Sequence, residues 1–253
     1  GFFDAPMLGL GATGSAHAFG SNCVFRRAAL DAIGGYQTGL AEDLATSIDL
    51  HSQGWKSDYI DSILALGLEP ADLSGFQVQQ KKWALGVFEQ LWRRGRNLLK
   101  TWRWEHFPGY LWRLTVFFAG PAVAAHILTT TLVLLVGSTA HLEAYSDYAT
   151  GLILFLLMTF VVDHAAQPQD RQAARKTRIP FGGVLLAFGM WPTYTSAFLQ
   201  SFSLNKLEFK PTPKITTGVA RLRQVAPQLM AVLALTLGIS KQILGGTALL
   251  HLP

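Results

Sequence analysis

Hydrophobic and polar positions follow two regimes along this chain. Residues 20–73 alternate short apolar and polar stretches punctuated by glycine. An apolar patch at 23–25 precedes a helical pattern over 27–33 that Gly34-Gly35 stops, and a second helix is predicted over 42–52, ended by Gly54. Tyr59-Ile60 and residues 63–66 read as strand material, so this part has α/β organisation. From 76 to about 102 the period becomes helical, with Trp83, Val87, Leu91 and Leu98 near one face and Lys81, Arg93, Arg94 and Lys100 elsewhere. Such an Arg-rich amphipathic helix is predicted to lie along a membrane surface.

Beyond residue 106 the apolar runs lengthen. Residues 110–136 exceed the roughly 20 residues a spanning helix needs, and Gly120-Pro121 predicts a kink within them. Further runs occupy 148–162, 179–202 and 225–250. Positive charge constrains their topology. The loop 137–147 has neither Lys nor Arg, whereas 164–178 carries Arg171, Arg175, Lys176 and Arg178, and 203–224 carries Lys206, Lys210, Lys214, Arg221 and Arg223. Two consecutive basic loops cannot both be cytoplasmic if the run between them crosses once. Residues 179–202, which hold Gly182, Gly183 and Pro192, are therefore predicted to be interfacial or re-entrant.

Composition agrees: 50% of the 253 residues are hydrophobic and only 15% charged, which points to a membrane α-helical part following the α/β part. Acids nearly vanish after residue 110, leaving Glu143, Asp147, Asp163, Asp170 and Glu208. The net charge of +5 sits beside apolar segments rather than in an aromatic-interleaved stripe, so a lipid bilayer with anionic headgroups is the expected partner and nucleic acid is not. Cys23 is the only cysteine, which excludes an internal disulfide; it is read as a small buried apolar side chain. The seven histidines, among them His17, His51 and His106, are dispersed without ligand spacing, so none is read as a metal ligand. The opening Gly-Phe-Phe-Asp-Ala lacks the pattern of a signal peptide, and the chain is expected to be a piece of a longer protein.

Three clusters carry candidate chemistry. Glu42-Asp43 follows Ala41 at a helix start, where acids offset the helix dipole or where one carboxylate takes a proton from an attacking hydroxyl. Gln79-Gln80-Lys81-Lys82-Trp83 is either the polar margin of an interfacial helix or a site with a cation for a diphosphate and a flat ring for a sugar. Phe209-Lys210-Pro211-Thr212-Pro213-Lys214 is a stiff basic loop that can also close over a phosphate. Phe117, Phe118 and Trp112 line a predicted span, where they face lipid, a helix neighbour or a translocating glucan.

The joint order of these segments, with Gly20-Ser21, Arg26-Arg27, Gly34-Gly35-Tyr36, His51-Ser52-Gln53-Gly54-Trp55-Lys56 and Gly67-Leu68-Glu69-Pro70, closely resembles bacterial cellulose synthase catalytic subunits, which are processive family-2 glycosyltransferases. The resemblance implies the C-terminal part of a GT-A domain over 1–75, an amphipathic interface helix region over 76–105, and a transmembrane channel region over 106–253. Within the last it implies the interfacial segment 179–202 and a gating loop at 203–218. It implies that Asp43, with Glu42 beside it, is the general base, Ala41 replacing the Thr of the family's Thr-Glu-Asp motif. It places Gln79, Lys82 and Trp83 on the QxxRW motif, where Trp83 stacks on the acceptor and Lys82 stands in for the Arg that faces the UDP diphosphate. Gly20 and Ser21 fall near the acceptor end, and Phe209, Thr212 and Lys214 match the loop that covers the UDP-sugar.

The implied activity is polymerisation of a β-linked glucan from a UDP-glucose donor onto a growing glucan acceptor, with extrusion across the plasma (inner) membrane and periplasmic or accessory synthase subunits as partners. The alternatives are a synthase of another polysaccharide, such as a mixed-linkage glucan, mannan or poly-N-acetylglucosamine, or a non-catalytic membrane scaffold. The implied cofactor is Mg2+ bound with UDP. Its ligands are expected in an upstream Asp-x-Asp motif that does not occur before Glu42, so this piece alone is expected to be inactive.

Overall fold

Glycine sets the helix ends in the first part of the chain. The computed structural model describes residues 5–60, 62, 68, 70–100, 106–136, 150, 186, 189–203 and 222–249. Its first helices are α1 (Ala5–Ala12), α2 (Arg27–Ala32) and α3 (Glu42–Ser52). After α2 and α3, Gly34 and Gly54 take φ of +78° and +84°. The amides that follow them, Gly35 and Trp55, reach back to the Leu30 and Leu50 carbonyls at 2.8 and 3.1 Å. This left-handed stop suits glycine because a Cβ strains it, so the boundaries fall where the sequence puts glycine.

Helix α4 (Leu73–Lys100) follows the predicted period but is irregular at Arg94, with φ −114° and ψ 16°. Beyond it come α5 (Phe107–Val136), α6 (Trp191–Gln200), a 3-10 turn at Leu222–Gln224 and α7 (Ala226–Leu249). Two compact units result, one of Gly1–Gly120 with Ile179–Ala220, the other of Pro121–Arg178 with Arg221–Pro253.

The core of the first unit is helical. Leu44 and Ile48 of α3, Ala84, Val87 and Phe88 of α4, Tyr110 and Phe117 of α5, and Tyr194 and Ala197 of α6 are buried together. Phe88 lies fully inside, its ring centroid 5.1 Å from Phe118 and 5.3 Å from Phe198, in edge-on geometries that aromatic quadrupoles favour. Phe117 likewise meets Tyr194 at 5.2 Å, so Phe117 and Phe118 of α5 are both occupied by neighbouring helices. Gly120 has the same purpose: a Cβ there would stand 2.3 Å from the Tyr194 Cβ and 2.9 Å from the Thr195 amide. The glycine lets α6 approach the α5 backbone. The kink expected at Gly120-Pro121 does not break the helix, which continues through Pro121 to Val136.

Two further expectations change. Among the described residues there is no strand, only an isolated parallel bridge between Ser15 and Ser57. Tyr59-Ile60 runs beyond that bridge as irregular chain, since a strand needs an adjacent partner and the bridge supplies one residue; residues 63–66 lie outside the described set. Cys23 is exposed rather than buried, and Val24 beside it is fully exposed, next to Asn22 at φ 56°.

In the second unit, Gly238 of α7 packs on Leu134, where a Cβ would lie 2.7 Å from the leucine Cβ. Gln242 Nε2 donates to the Leu134 carbonyl at 2.6 Å, and Lys241 Nζ donates to that of Leu135. Val116–Val136 and Ala226–Leu244 are long and apolar enough to cross a membrane. At 1.5 Å per residue each covers about 30 Å, the thickness of a hydrocarbon core.

Candidate active site

Helix α3 is held by two hydroxyls that face the core. Thr46 Oγ1 donates to the Glu42 carbonyl at 2.7 Å and accepts the Gln37 amide at 3.0 Å. Ser47 Oγ donates to the Asp43 carbonyl at 2.8 Å and accepts the Ala18 amide at 2.9 Å. Both side chains are buried, and their hydroxyls give these loop amides partners on the helix. The consequence is positional: the 18–22 loop and the 34–40 loop are tied to the turn that carries Glu42 and Asp43.

That turn collects the first group of predicted residues. Gly20, at φ +69°, approaches Glu42 closely, a Cβ there falling 3.9 Å from Oε1, and Ser21 follows it in an exposed turn. Ala41 is the helix N-cap and makes no side-chain cap; instead Asp43 Oδ1 accepts the Leu44 amide at 2.7 Å. Asp43 Oδ2 faces Arg113 Nη2 of α5 at 3.8 Å, with the two side chains only 15% and 14% exposed. The Arg113 guanidinium also lies over the Phe19 ring, 4.7 Å from its centroid. Tyr36 borders the same carboxylates: burial first, then Asp43 and Glu42, push its phenol up to about 12, so it remains a hydrogen-bond donor at neutral pH.

Gln79, Lys82 and Trp83 stand at i, i+3 and i+4 and share one face of α4. Trp83 is 47% exposed, leaving its ring available for stacking, while Gln79 and Lys82 are half-buried. Gln80 points the other way, accepting the Tyr194 hydroxyl at 2.8 Å. One turn beyond Lys82, Gly86 meets Ala41: a Cβ on Gly86 would lie 2.8 Å from the Ala41 Cβ and 3.3 Å from its amide. This contact sets the Glu42-Asp43 turn beside α4, about one helical turn from Lys82 and Trp83. Phe209, Thr212 and Lys214 lie outside the described residues.

Three histidines that sequence spacing leaves unrelated converge in the fold. His51 and His106 stack with centroids 4.8 Å apart, and His17 lies 4.3 Å from Tyr110. The His51 proton can be placed. Ser57 Oγ donates to the Ala16 carbonyl at 2.6 Å, so it accepts from His51 Nε2 at 2.8 Å, and Nδ1 accepts the Tyr110 hydroxyl at 2.7 Å. Burial, then His106, pushes His51 down to about 3; burial, then Arg113, His51 and His106, holds His17 well below the usual imidazole range. Both rings are neutral, and they join α3 to the first turn of α5. Arg113 itself is not marked by any sequence signal, because a charge at the edge of an apolar run resembles an ordinary flank.

No group of three or more His, Cys, Asp or Glu side chains able to hold a metal ion occurs among the described residues. Asp43 faces a guanidinium instead.

The chain is 36% identical over 89 residues to a UDP-forming cellulose synthase catalytic subunit of Dictyostelium discoideum, covering 35% of this chain and 8% of that protein. It is 44% identical over 64 residues to "Cellulose synthase-like protein B1" of Arabidopsis thaliana, covering 24% and 8%, and 34% identical over 105 residues to "Cellulose synthase 2" of Novacetimonas hansenii, covering 40% and 6%. The chain thus spans less than a tenth of the length of these relatives. No solved structure matches. Residues 7–163, which include α3, α4 and the carboxylate turn, match the family described as "Glycosyl transferase family group 2", and the chain belongs to that family.

Proposed function

We propose that this chain forms the acceptor side and membrane portion of a processive, inverting glycosyltransferase of GT-A type that polymerises a β-linked glucan from UDP-glucose. The observation that carries the reading is the Asp43 carboxylate. It is held at a helix start beside the Gly20-Ser21 loop, one helical turn along α4 from an exposed tryptophan and a lysine. The UDP-forming Dictyostelium relative supports the choice of donor.

In this reading the acceptor sugar stacks on Trp83 and its hydroxyl approaches Asp43. The carboxylate takes the hydroxyl proton as the oxygen bonds to the anomeric carbon of the donor. The bond from that carbon to the UDP oxygen breaks in the same displacement, so configuration inverts. Lys82 offers the leaving diphosphate a single ammonium, a point charge rather than a two-pronged guanidinium. Mg2+ belongs to this reading as a companion of UDP, with ligands outside the described residues.

The membrane part of the reading rests on the two apolar helices and on α6. Ten residues at 1.5 Å reach about 15 Å, half a bilayer core, which supports an interfacial position for that part of 179–202.

The test is a donor panel on the full-length protein in membranes. Labelled UDP-glucose, UDP-N-acetylglucosamine and GDP-mannose are supplied in turn, and products are digested with linkage-specific glycanases. Incorporation from UDP-glucose into a product cut by β-1,4-glucanase is the expected result. Incorporation from another donor alone moves the reading to another polymer, and none from any donor supports a scaffold.

A further inference from the structure

Arg113 lies at the centre of the acceptor side, although no motif assigns it a role. Its Nη2 faces Asp43 Oδ2 at 3.8 Å, beyond direct hydrogen-bond range, and its guanidinium plane covers Phe19, the residue before Gly20-Ser21. Its Nη1 is buried and has no hydrogen-bond partner among the described residues. A buried donor without a partner costs free energy that a ligand oxygen can recover.

The arm is also fixed at its base. Tyr110 stands one turn before Arg113 on α5, and its bond to His51, continued through Ser57 to the Ala16 carbonyl, fastens that turn to the far end of α3. Helix α5 thus grips α3 at both ends, through His51 at one and Asp43 at the other. The 3.8 Å gap has the geometry for a shared hydroxyl. An oxygen donating to Asp43 Oδ2 at about 2.7 Å and accepting from the guanidinium at about 2.9 Å closes a triangle on that edge.

We propose that Arg113 orients the Asp43 carboxylate and, through the Nη2 edge that faces it, hydrogen-bonds a hydroxyl of the acceptor sugar. The inference rests on the reading of Asp43 as the base. It deepens that reading by assigning acceptor recognition to the membrane-proximal turn of α5, so that the helix leading into the span and the base move together.

The test uses full-length protein in detergent or membranes, with cellotetraose as soluble acceptor. Arg113→Met is expected to raise the acceptor KM about tenfold or more and to lower kcat about tenfold, leaving the UDP-glucose KM within about twofold. Arg113→Lys is expected to recover part of both losses. In an Asp43→Asn background, where turnover is expected to fall about 100-fold or more, Arg113→Met is expected to weaken cellotetraose binding about tenfold by calorimetry. An unchanged acceptor KM and unchanged binding overturn the inference while leaving Asp43 in place. Equal damage to donor and acceptor parameters, unrelieved by Lys and accompanied by a lowered Tm, marks a structural role and also overturns it. Transfer that survives Asp43→Asn instead overturns the underlying reading.

Discussion

Replacing Gly86 with alanine isolates the contact that sets the carboxylate turn beside α4. The new Cβ would stand 2.8 Å from the Ala41 Cβ, 3.3 Å from the Ala41 amide and 3.4 Å from the Leu40 carbonyl carbon. Carbon atoms in contact rest near 3.5–4.0 Å, so the 40–42 segment must retreat by about 1 Å. Two terms then oppose each other. Overpacking a core costs about 1–3 kcal/mol, whereas Gly→Ala inside a helix gains up to about 1 kcal/mol. The net is a loss of about 0–3 kcal/mol, seen as a small to moderate fall in Tm. Activity should respond more strongly, because a 1 Å misplacement of a reacting group can lower the rate about 100-fold. Gly95→Ala is the control: it lies on the same helix with nothing within 4 Å of the point its methyl would occupy, so it should gain helix stability and keep full transfer. The assay measures polymer synthesis and Tm of both full-length variants side by side. If Gly86→Ala matches Gly95→Ala in both, the Ala41 contact does not set the turn.

The neutral histidines make stability pH-dependent. Because the folded state holds His51 near 3 against about 6.5 when unfolded, the unfolded state binds more protons between those values, and stability falls as pH drops through that window. From pH 7 to pH 5, His51 alone should remove about 2 kcal/mol, His17 acts in the same direction, and Tm measured across this range checks it; a flat profile contradicts the buried neutral pair. Arg94 binds Asp49 at 3.1 Å, Gln90 at 2.5 Å and Gln37 at 2.8 Å. Arg94→Ala strips the mostly buried Asp49 carboxylate of its cation and leaves it the Asn97 amide. It should cost about 2–3 kcal/mol, seen as a lower Tm with donor and acceptor KM unchanged.

The parts of this fold that local chemistry determines were legible in the sequence. Gly34 and Gly54 end α2 and α3 where a left-handed residue is needed, and the period of α4 is plain from its apolar positions. What could not be read depends on partners distant in sequence. The irregularity of α4 falls at Arg94, whose side chain engages Asp49 and Gln37 on other segments. Gly120 stood out as the neighbour of Pro121, whereas the close approach of Tyr194 that its missing side chain admits could not be read. Thr46 and Ser47 read as ordinary helix residues until the loops they hold are known. His17, His51 and His106 are separated by 34 and 55 positions, and only folding brings them together. In the candidate site, the Glu42-Asp43 and Gln79-Trp83 segments stood out by composition, whereas Arg113 became visible only through its distance to Asp43.

The central claim is that Asp43 removes the acceptor proton, and one substitution in the full-length protein tests it. Asp43→Asn preserves size and the oxygen that accepts the Leu44 amide but cannot act as a base. Measured together, UDP binding should stay within about twofold of the parent while glucan synthesis from UDP-glucose falls about 100-fold or more. Undiminished polymer synthesis by this variant would contradict the account.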